Sequence, residues 1–450
     1  MLMPRHLAII GGGFTGTLLA VNLLRHGTLK VTLIEQRPER LGKGLAFGGA
    51  GAGHVLNVRA SNMSAFPDQP GHFAEWLQRH GLGTDGSFAT RTHYGTYLSA
   101  LLDDARKAAN DQVTILEDQA VDLILTGSGC SITLGSGARL DVDMVALAPG
   151  NLPPHDLPAF QHLSSPHYIS NPWSSEMARD LTAHDSVLLL GSGLTAVDCA
   201  QTLDGAGFTG TIYAISRRGL MPRRHAPALP FSSRRERPAS MCTALLQSVR
   251  RRSEGIGWRN AVDELRPFTQ DIWRSADATT RARFLRHLRP YWDVHRHRIA
   301  PEVADRMDRM IAEGRLHILT GKIESAVVHD AAIDIGWRRR GDARTQSLHV
   351  TRVVNCTGPL SDLSRTADPL LRKLADAGTI RPDALAIGID VDRDGRAVAR
   401  DGRLQERLVV AGPMTRGAHW EIVAVPDIRR QTWALARAIT GAHWVEAEGL

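Results

Sequence analysis

Three sets of residues in this chain have the types and spacing for chemistry. Gly11, Gly13, Phe14, Thr15 and Gly16 form a Gly-x-Gly-x-x-Gly turn behind the apolar run 7–10, and Glu35 follows a second apolar run. Gly191, Gly193 and Thr195 belong to a second turn, Gly191-x-Gly193-x-x-Ala196, behind the apolar run 187–190; Arg217 and Arg218 follow it. The third set is the stretch 284–298, where Arg286, His287, Arg289, Tyr291, Trp292, His295, Arg296, His297 and Arg298 are crowded together.

Each glycine of the first turn has a job. The first allows the tight turn, the second lets backbone approach a pyrophosphate, and the third lets helix pack on strand. The helix that follows points its positive end at the phosphates. Glu35, at the end of the next strand, is placed to accept from ribose hydroxyls. One such turn implies a dinucleotide. Two imply flavin plus nicotinamide, and therefore redox chemistry. The first site, at the head of the chain, is assigned to FAD. The Gly412-Pro413 loop before a helix near 427–440 is the segment that would return to finish it, with an ordinary strand–helix turn as the alternative. The second site has Arg217 and Arg218 where an acid would bind the ribose of NAD. Two guanidinium groups there suit the 2′-phosphate of NADPH. A solvated basic turn, with NADH as cofactor, is the competing reading. The segment Met221-Pro222-Arg223-Arg224-His225 either lines the nicotinamide channel or is a basic loop.

The third set suits a flat or small anion, held by stacking and bidentate hydrogen bonds. If the chain is helical on either side of Pro290, then Arg283, Arg286 and His287 share one face, and Trp292, His295 and Arg296 another. His287, His295 and Arg289 are the catalytic candidates, a histidine being able to take a proton near neutral pH. Solvated basic helices are the alternative. Zinc at His295-x-His297 is disfavoured, because neither a cysteine nor a third ligand is near; no metal site is expected.

The elements that must position these residues can be read from periodicity. Residues 6–35 and 186–216 each read as strand, turn, helix and strand. Residues 113–148 hold short strands, and 151–173 lacks periodicity and reads as a connection. Residues 240–312 are helical in character. Short strands follow at 316–319, 322–335 and 347–355, with a last one at 408–411. The expected fold class is α/β: two Rossmann-like dinucleotide-binding domains, for FAD and NAD(P)H, with a helical insertion. The expected FAD domain is 1–155 plus 350–450, and the NAD(P)H domain is 156–349 with the insertion at about 235–312.

Composition narrows the function classes. The chain has 450 residues and a formal net charge of +7, enough for two or three domains with cores of their own. No apolar stretch has the length of a membrane span, the start of the chain does not read as a signal peptide, and a cytoplasmic protein without a membrane partner is expected. The basic residues crowd into 217–309 without the pattern of any nucleic-acid module, so nucleic acid is not an expected partner. Cys130, Cys199, Cys242 and Cys356 are scattered without a CxxC, so neither a disulfide framework nor a thiol redox pair is expected. Oligomeric state is not legible.

Longer motifs carry a resemblance. They are Gly44-Leu45-Ala46-Phe47, His54-Val55-Leu56-Asn57-Val58-Arg59-Ala60, Met63-Ser64-Ala65-Phe66-Pro67-Asp68, His72-Phe73-x-x-Trp76-Leu77 and Tyr94-Gly95-x-Tyr97-Leu98. At the other end stand Gly412-Pro413-Met414-Thr415-Arg416-Gly417-Ala418-His419-Trp420-Glu421 and Ala424-Val425-Pro426-Asp427-Ile428-Arg429. Together they resemble the bacterial FAD/NAD(P)-binding flavoprotein monooxygenase family that includes a flavoprotein urate hydroxylase and an aspartate N-monooxygenase. Arg59 stands where that pattern has proline. The resemblance implies an FAD-dependent NAD(P)H monooxygenase that uses O2 and acts through a C4a-hydroperoxyflavin. It implies that Asn57 lies near the flavin ring, and that Gly412 and the stretch from Thr415 to Trp420 close over it. Urate hydroxylation to 5-hydroxyisourate is the leading expectation. N-hydroxylation of an amino acid such as aspartate, or a non-oxygenating flavin oxidoreductase, are the alternatives.

Overall fold

The computed structural model describes residues 3–49, 51, 53–109, 112–227, 236–238 and 241–442. The expected insertion start at 235 and the tail 443–450 lie outside the described residues.

Two parallel sheets organise the chain. In the first, the strands run in the order Arg396–Val398, Leu404–Val410, Met144–Leu147, His6–Ile10, Lys30–Ile34, Val113–Leu116; all neighbours are parallel except the outermost pair, Arg396–Val398 and Leu404–Val410. Leu408, Val409 and Val410 pair with Val145, Ala146 and Leu147, so the C-terminal segment completes a sheet begun by the first residues. The helix Phe14–His26 packs on this sheet through Leu18, Leu19, Val21 and Leu23, with the return helix Val425–Thr440 beside it. Gly27 ends the first helix in an extended conformation, its N–H donating to Leu23 O, without the left-handed turn usual for a glycine cap.

The second sheet runs Thr345–Val350, Ile333–Arg339, Leu316–Val328, Thr211–Ser216, Ser186–Leu190, Arg352–Val354, Tyr168–Ile169. One strand serves both halves of it. Residues 316–320 pair parallel with 212–216, and residues 321–328 pair antiparallel with 333–339. Arg352–Val354, expected with the first domain, pairs with Ser186–Leu190 instead; its fully buried Val353 and Val354 fill the second core. Tyr168–Ile169, in the stretch expected to be a plain connection, extends the sheet beyond it.

The insertion is smaller than expected. Its helices are Thr243–Asp263, Thr269–Ser275, Ala278–His287 and Arg289–Arg296. The next helix, Pro301–Ala312, buries Val303, Met307 and Met310 against the second sheet and its fingerprint helix, as a crossover helix must. A bridge between Arg224 and Ile299 closes the base of the insertion.

The scattered cysteines do not all stay apart. Cys356 Sγ lies 3.5 Å from Cys199 Sγ, both buried, behind the second fingerprint. Among the described residues no helix is long and apolar enough to cross a membrane.

Candidate cofactor docks and the insertion interface

The first turn cannot tolerate side chains. Gly11 adopts φ +105°, and a Cβ there would sit 2.3 Å from Ala148 O; at Gly16 it would sit 1.9 Å from Gly11 O. Contacts that short require glycine. Glu35 Oε2 accepts from the Gly12 N–H at 2.8 Å and Oε1 from the Arg37 N–H at 2.9 Å, which fixes the carboxylate over the turn. Gly412, at φ +84°, faces Thr15: a Cβ would meet Thr15 Oγ1 at 2.6 Å. Its N–H donates to Gln431 Oε1 at 2.7 Å, and Gln431 Nε2 donates to Thr415 Oγ1 at 2.9 Å. The return segment and the first fingerprint therefore meet at one point. Phe14 points away from it, packing on Phe47 and Tyr94, so its contribution to the turn is backbone. The helix expected near 427–440 runs over Val425–Thr440, after the short turn Pro413–Thr415 and an irregular loop.

The second turn is built alike. Gly191 has φ +136°, and a Cβ would stand 2.5 Å from Cys356 O. Gly193 faces open space, with nothing within 4 Å of a Cβ, and Thr195 lies in the first turn of the helix Leu194–Gly205. Ser192 Oγ donates to Leu220 O at 2.6 Å, and the Gly219 N–H donates to Ser216 Oγ at 2.9 Å. These bonds fix the bend that carries Arg217 and Arg218. Both arginines line a cavity of about 360 Å³ together with Arg286, Lys322 and the run Arg338, Arg339 and Arg340, faced by Asp342. Arg218 also stacks on Tyr291 of the insertion, 4.9 Å from the ring centre. Such a concentration of cations suits phosphate. Arg338–Arg340 comes there because the long strand 316–328 carries its hairpin partner past the end of Thr211–Ser216.

The two bodies are latched together. Arg91 Nη2 donates to both carboxylate oxygens of Asp198, at 2.9 and 2.8 Å, with both side chains buried. His54 Nε2 pairs with Thr202 Oγ1 at 3.1 Å. His225 Nε2 donates to Asn57 O at 2.9 Å, and burial holds the His225 imidazole below its ordinary range. Asn57 and the 221–225 segment therefore meet at the domain junction.

The catalytic candidates separate. His287 is exposed at the end of its helix. His295 Nδ1 donates to Tyr291 O at 2.7 Å and its ring stands edge-on to Trp258 at 4.9 Å. It does not follow Trp292 and Arg296, which turn toward Glu421. Arg289 Nε donates to Asp293 Oδ2 at 3.3 Å. Trp420, expected over the flavin, is 2% exposed. It stacks on Trp273 at 4.6 Å and meets Phe284 edge-on at 5.4 Å. Its indole joins the loop to the insertion.

That lock has a charged centre. Glu421, in the left-handed region at φ +70°, is buried. Trp292 Nε1 donates to Glu421 Oε1 at 2.8 Å, and Arg296 Nε and His297 Nε2 each lie 3.5 Å from the carboxylate. Burial would raise this carboxyl, but His297, Arg296 and Trp292 outweigh it and hold it at about 2. Nearby, Trp273 Nε1 donates to Gly417 O at 2.8 Å, Gln270 Nε2 donates to Trp420 O, and Arg274 Nη2 donates to His419 Nδ1 at 3.0 Å. Burial, with Arg274 beside it, pushes His419 down to about 4.

Known proteins share this construction. Residues 8–152 match the family model NAD_binding_9, described as FAD-NAD(P)-binding. L-lysine 6-monooxygenase from Pseudomonas syringae superposes with a TM-score of 0.69 at 18% identity, over 98% of this chain and 99% of that one. Ornithine N-hydroxylase from Kutzneria sp. 744, solved with reduced FAD, NADP+ and L-ornithine, gives 0.64 at 16% identity, over 97% and 99%. Bacillithiol disulfide reductase from Bacillus cereus gives 0.56 at 11%, over 98% and 99%. Residues 8–152 are similar to FAD-NAD(P)-binding domains, and the whole chain has the fold of these proteins. The glycine turns and the basic cavity fit FAD and NADP respectively.

Proposed function

We propose that this protein is an FAD-dependent NADPH monooxygenase that N-hydroxylates a small amine bearing a carboxylate. The observation that carries the reading is the pair of dinucleotide turns, the second opening on a cation-rich cavity, in a chain that superposes along its length on amino-acid N-hydroxylases. The Gly11–Gly16 turn and the Gly412 return would hold FAD, with Glu35 placed to accept from its ribose. Residues 1–155 and the return segment form its domain, and the second sheet holds the nicotinamide cofactor. Bound flavin, reduced by NADPH, supplies the oxygen chemistry. Amine, O2, NADPH and a proton become hydroxylamine, water and NADP+. The protein's part is to hold NADPH through Arg217 and Arg218, to place the amine at the flavin edge, and to keep water out behind the Trp273–Trp420 lock. The disulfide-reductase reading has less support, since the one close thiol pair is buried behind the nicotinamide turn and not at the flavin.

The test is a screen of the purified yellow protein, following NADPH oxidation, O2 uptake and hydroxylamine together. Amino acids and urate are tried in parallel. Hydroxylamine from an amino acid, in step with NADPH oxidation, is the expected result. Acceleration by urate with formation of 5-hydroxyisourate would replace the substrate assignment. Peroxide release with every candidate would overturn the monooxygenase reading.

A further inference from the structure

The loop after Gly412 carries a cation that the fold leaves unmatched. Arg416 follows the turn Pro413–Thr415, and its guanidinium lies 4.6 Å over the Trp420 ring. Nε is sealed from solvent without a hydrogen-bond partner. Among the described residues no hydrogen bond or ion pair reaches the group. The nearest carboxylates are engaged elsewhere: Asp293 Oδ2 by Arg289, and Glu421 by Trp292, Arg296 and His297. Asp293 Oδ1 and Glu421 Oε2 each lack a hydrogen-bond donor, so neither carboxylate closes on Arg416. Burial first, and Arg289 second, push the Arg416 guanidinium down to about 10, so it stays charged at neutral pH beside a second cation.

Arg416 is part-buried, and its sealed, unbonded Nε is costly unless an anion arrives to accept from it. Arg416 is stacked on a tryptophan that is itself stacked, so it cannot turn away to find one. The loop begins at Gly412, against Thr15 of the first turn, and Arg416 stands four residues on, where the loop meets the insertion.

We infer that Arg416, with Arg289 beside it, receives the carboxylate of the substrate. The inference rests on the proposed amine hydroxylation, and it selects amino acids over their decarboxylated amines.

The experiment uses the FAD-loaded protein. Calorimetric titration compares L-lysine with cadaverine and L-ornithine with putrescine, for wild type and Arg416→Gln. Wild type is expected to prefer the amino acid, and the variant to lose roughly 10- to 100-fold in amino-acid affinity, with amine affinity unchanged. A ratio equal in both proteins overturns the proposal. Acetate, followed by tryptophan fluorescence, probes the anion site independently of substrate identity. A shift present in wild type and absent in Arg416→Gln supports the site even if no amine is hydroxylated, in which case only the functional reading fails. An identical acetate response in the two proteins overturns the site. Weakened NADPH binding in Arg416→Gln also overturns it, since the anion would then be a cofactor phosphate. Should Arg416→Gln lose FAD, Arg416→Lys serves: a single point charge in place of the planar fork should lower amino-acid affinity several-fold and leave the amine unaffected.

Discussion

Replacing Glu421 by Gln removes one charge from the lock between the insertion and the flavin-side loop. Gln keeps the shape and can still accept from Trp292 Nε1. It bears the same left-handed backbone as Glu, so the comparison isolates the charge. The wild-type carboxyl is held at about 2 against an ordinary 4.5. That difference corresponds to about 3 kcal/mol favouring the ionised form in the folded state. The sign follows from the depressed value. The contribution is complete above about pH 4.5 and disappears as the pH falls through about 2. At pH 7 the variant should therefore be less stable by about 3 kcal/mol, with Arg296 and His297 left facing a neutral amide. Urea unfolding followed by tryptophan fluorescence reads this directly, because Trp273, Trp292 and Trp420 all sit in the affected cluster. Because His297 adds its charge only when protonated, the gap should hold or grow from pH 7 to pH 5 and narrow below about pH 4.5. Hydrogen exchange at residues 289–297 and 413–424 should quicken by about two decades at pH 7 if opening is local. Equal stability at pH 7, or a gap that widens below about pH 4.5, would refute the reasoning.

Other perturbations separate the remaining assignments. Arg217→Ala with Arg218→Ala should raise the KM for NADPH at least about tenfold and leave that for NADH unchanged; equal losses for both cofactors would remove the 2′-phosphate from the basic cavity. Gly16→Ala places a Cβ 1.9 Å from Gly11 O, so the purified protein should be colourless, and a retained yellow flavin band would show that the turn rearranges. His287→Ala and His295→Ala should leave turnover within about twofold of wild type, His295→Ala losing about 1 kcal/mol of stability through the Trp258 contact; a drop of about a hundredfold in turnover for either variant would restore that histidine to catalysis. Arg91→Met strands Asp198 at the domain junction and should cost about 3–5 kcal/mol in thermal or urea unfolding, and Arg91→Met with Asp198→Leu should recover much of it; no recovery in the pair would mean that the two residues act separately.

The cofactor turns are legible in the sequence because their chemistry is local. Gly11, Gly16 and Gly191 are demanded by backbone contacts around a strand–turn–helix unit, and a sequence displays such units contiguously. The strand order is less so. Arg352–Val354 reads as a buried strand in either body, and only parallel pairing with Ser186–Leu190 decides between them. The crossover helix Pro301–Ala312 likewise resembles its basic neighbours in composition, but its Val303, Met307 and Met310 face a different core.

The chemistry of the insertion is hard to read from sequence for a related reason. Helical spacing groups Trp292, His295 and Arg296 on one face, and spacing alone cannot say what lies opposite. Glu421, more than a hundred residues away, takes Trp292 and Arg296, while Trp258 takes His295. A histidine that reads as one of a basic set in sequence thus stands apart from it in space, against a tryptophan. The converse holds for Arg416, one arginine in a motif of glycine and aromatic residues. Its neighbours in the chain give no sign of being short of a partner. That shortage exists only after Trp273 has fixed Trp420, Arg296 and His297 have claimed Glu421, and Arg289 has claimed Asp293. An unsatisfied charge is a property of the packed state, and here it is the packing of the insertion on the return loop that turns a cofactor segment into a candidate determinant of substrate choice.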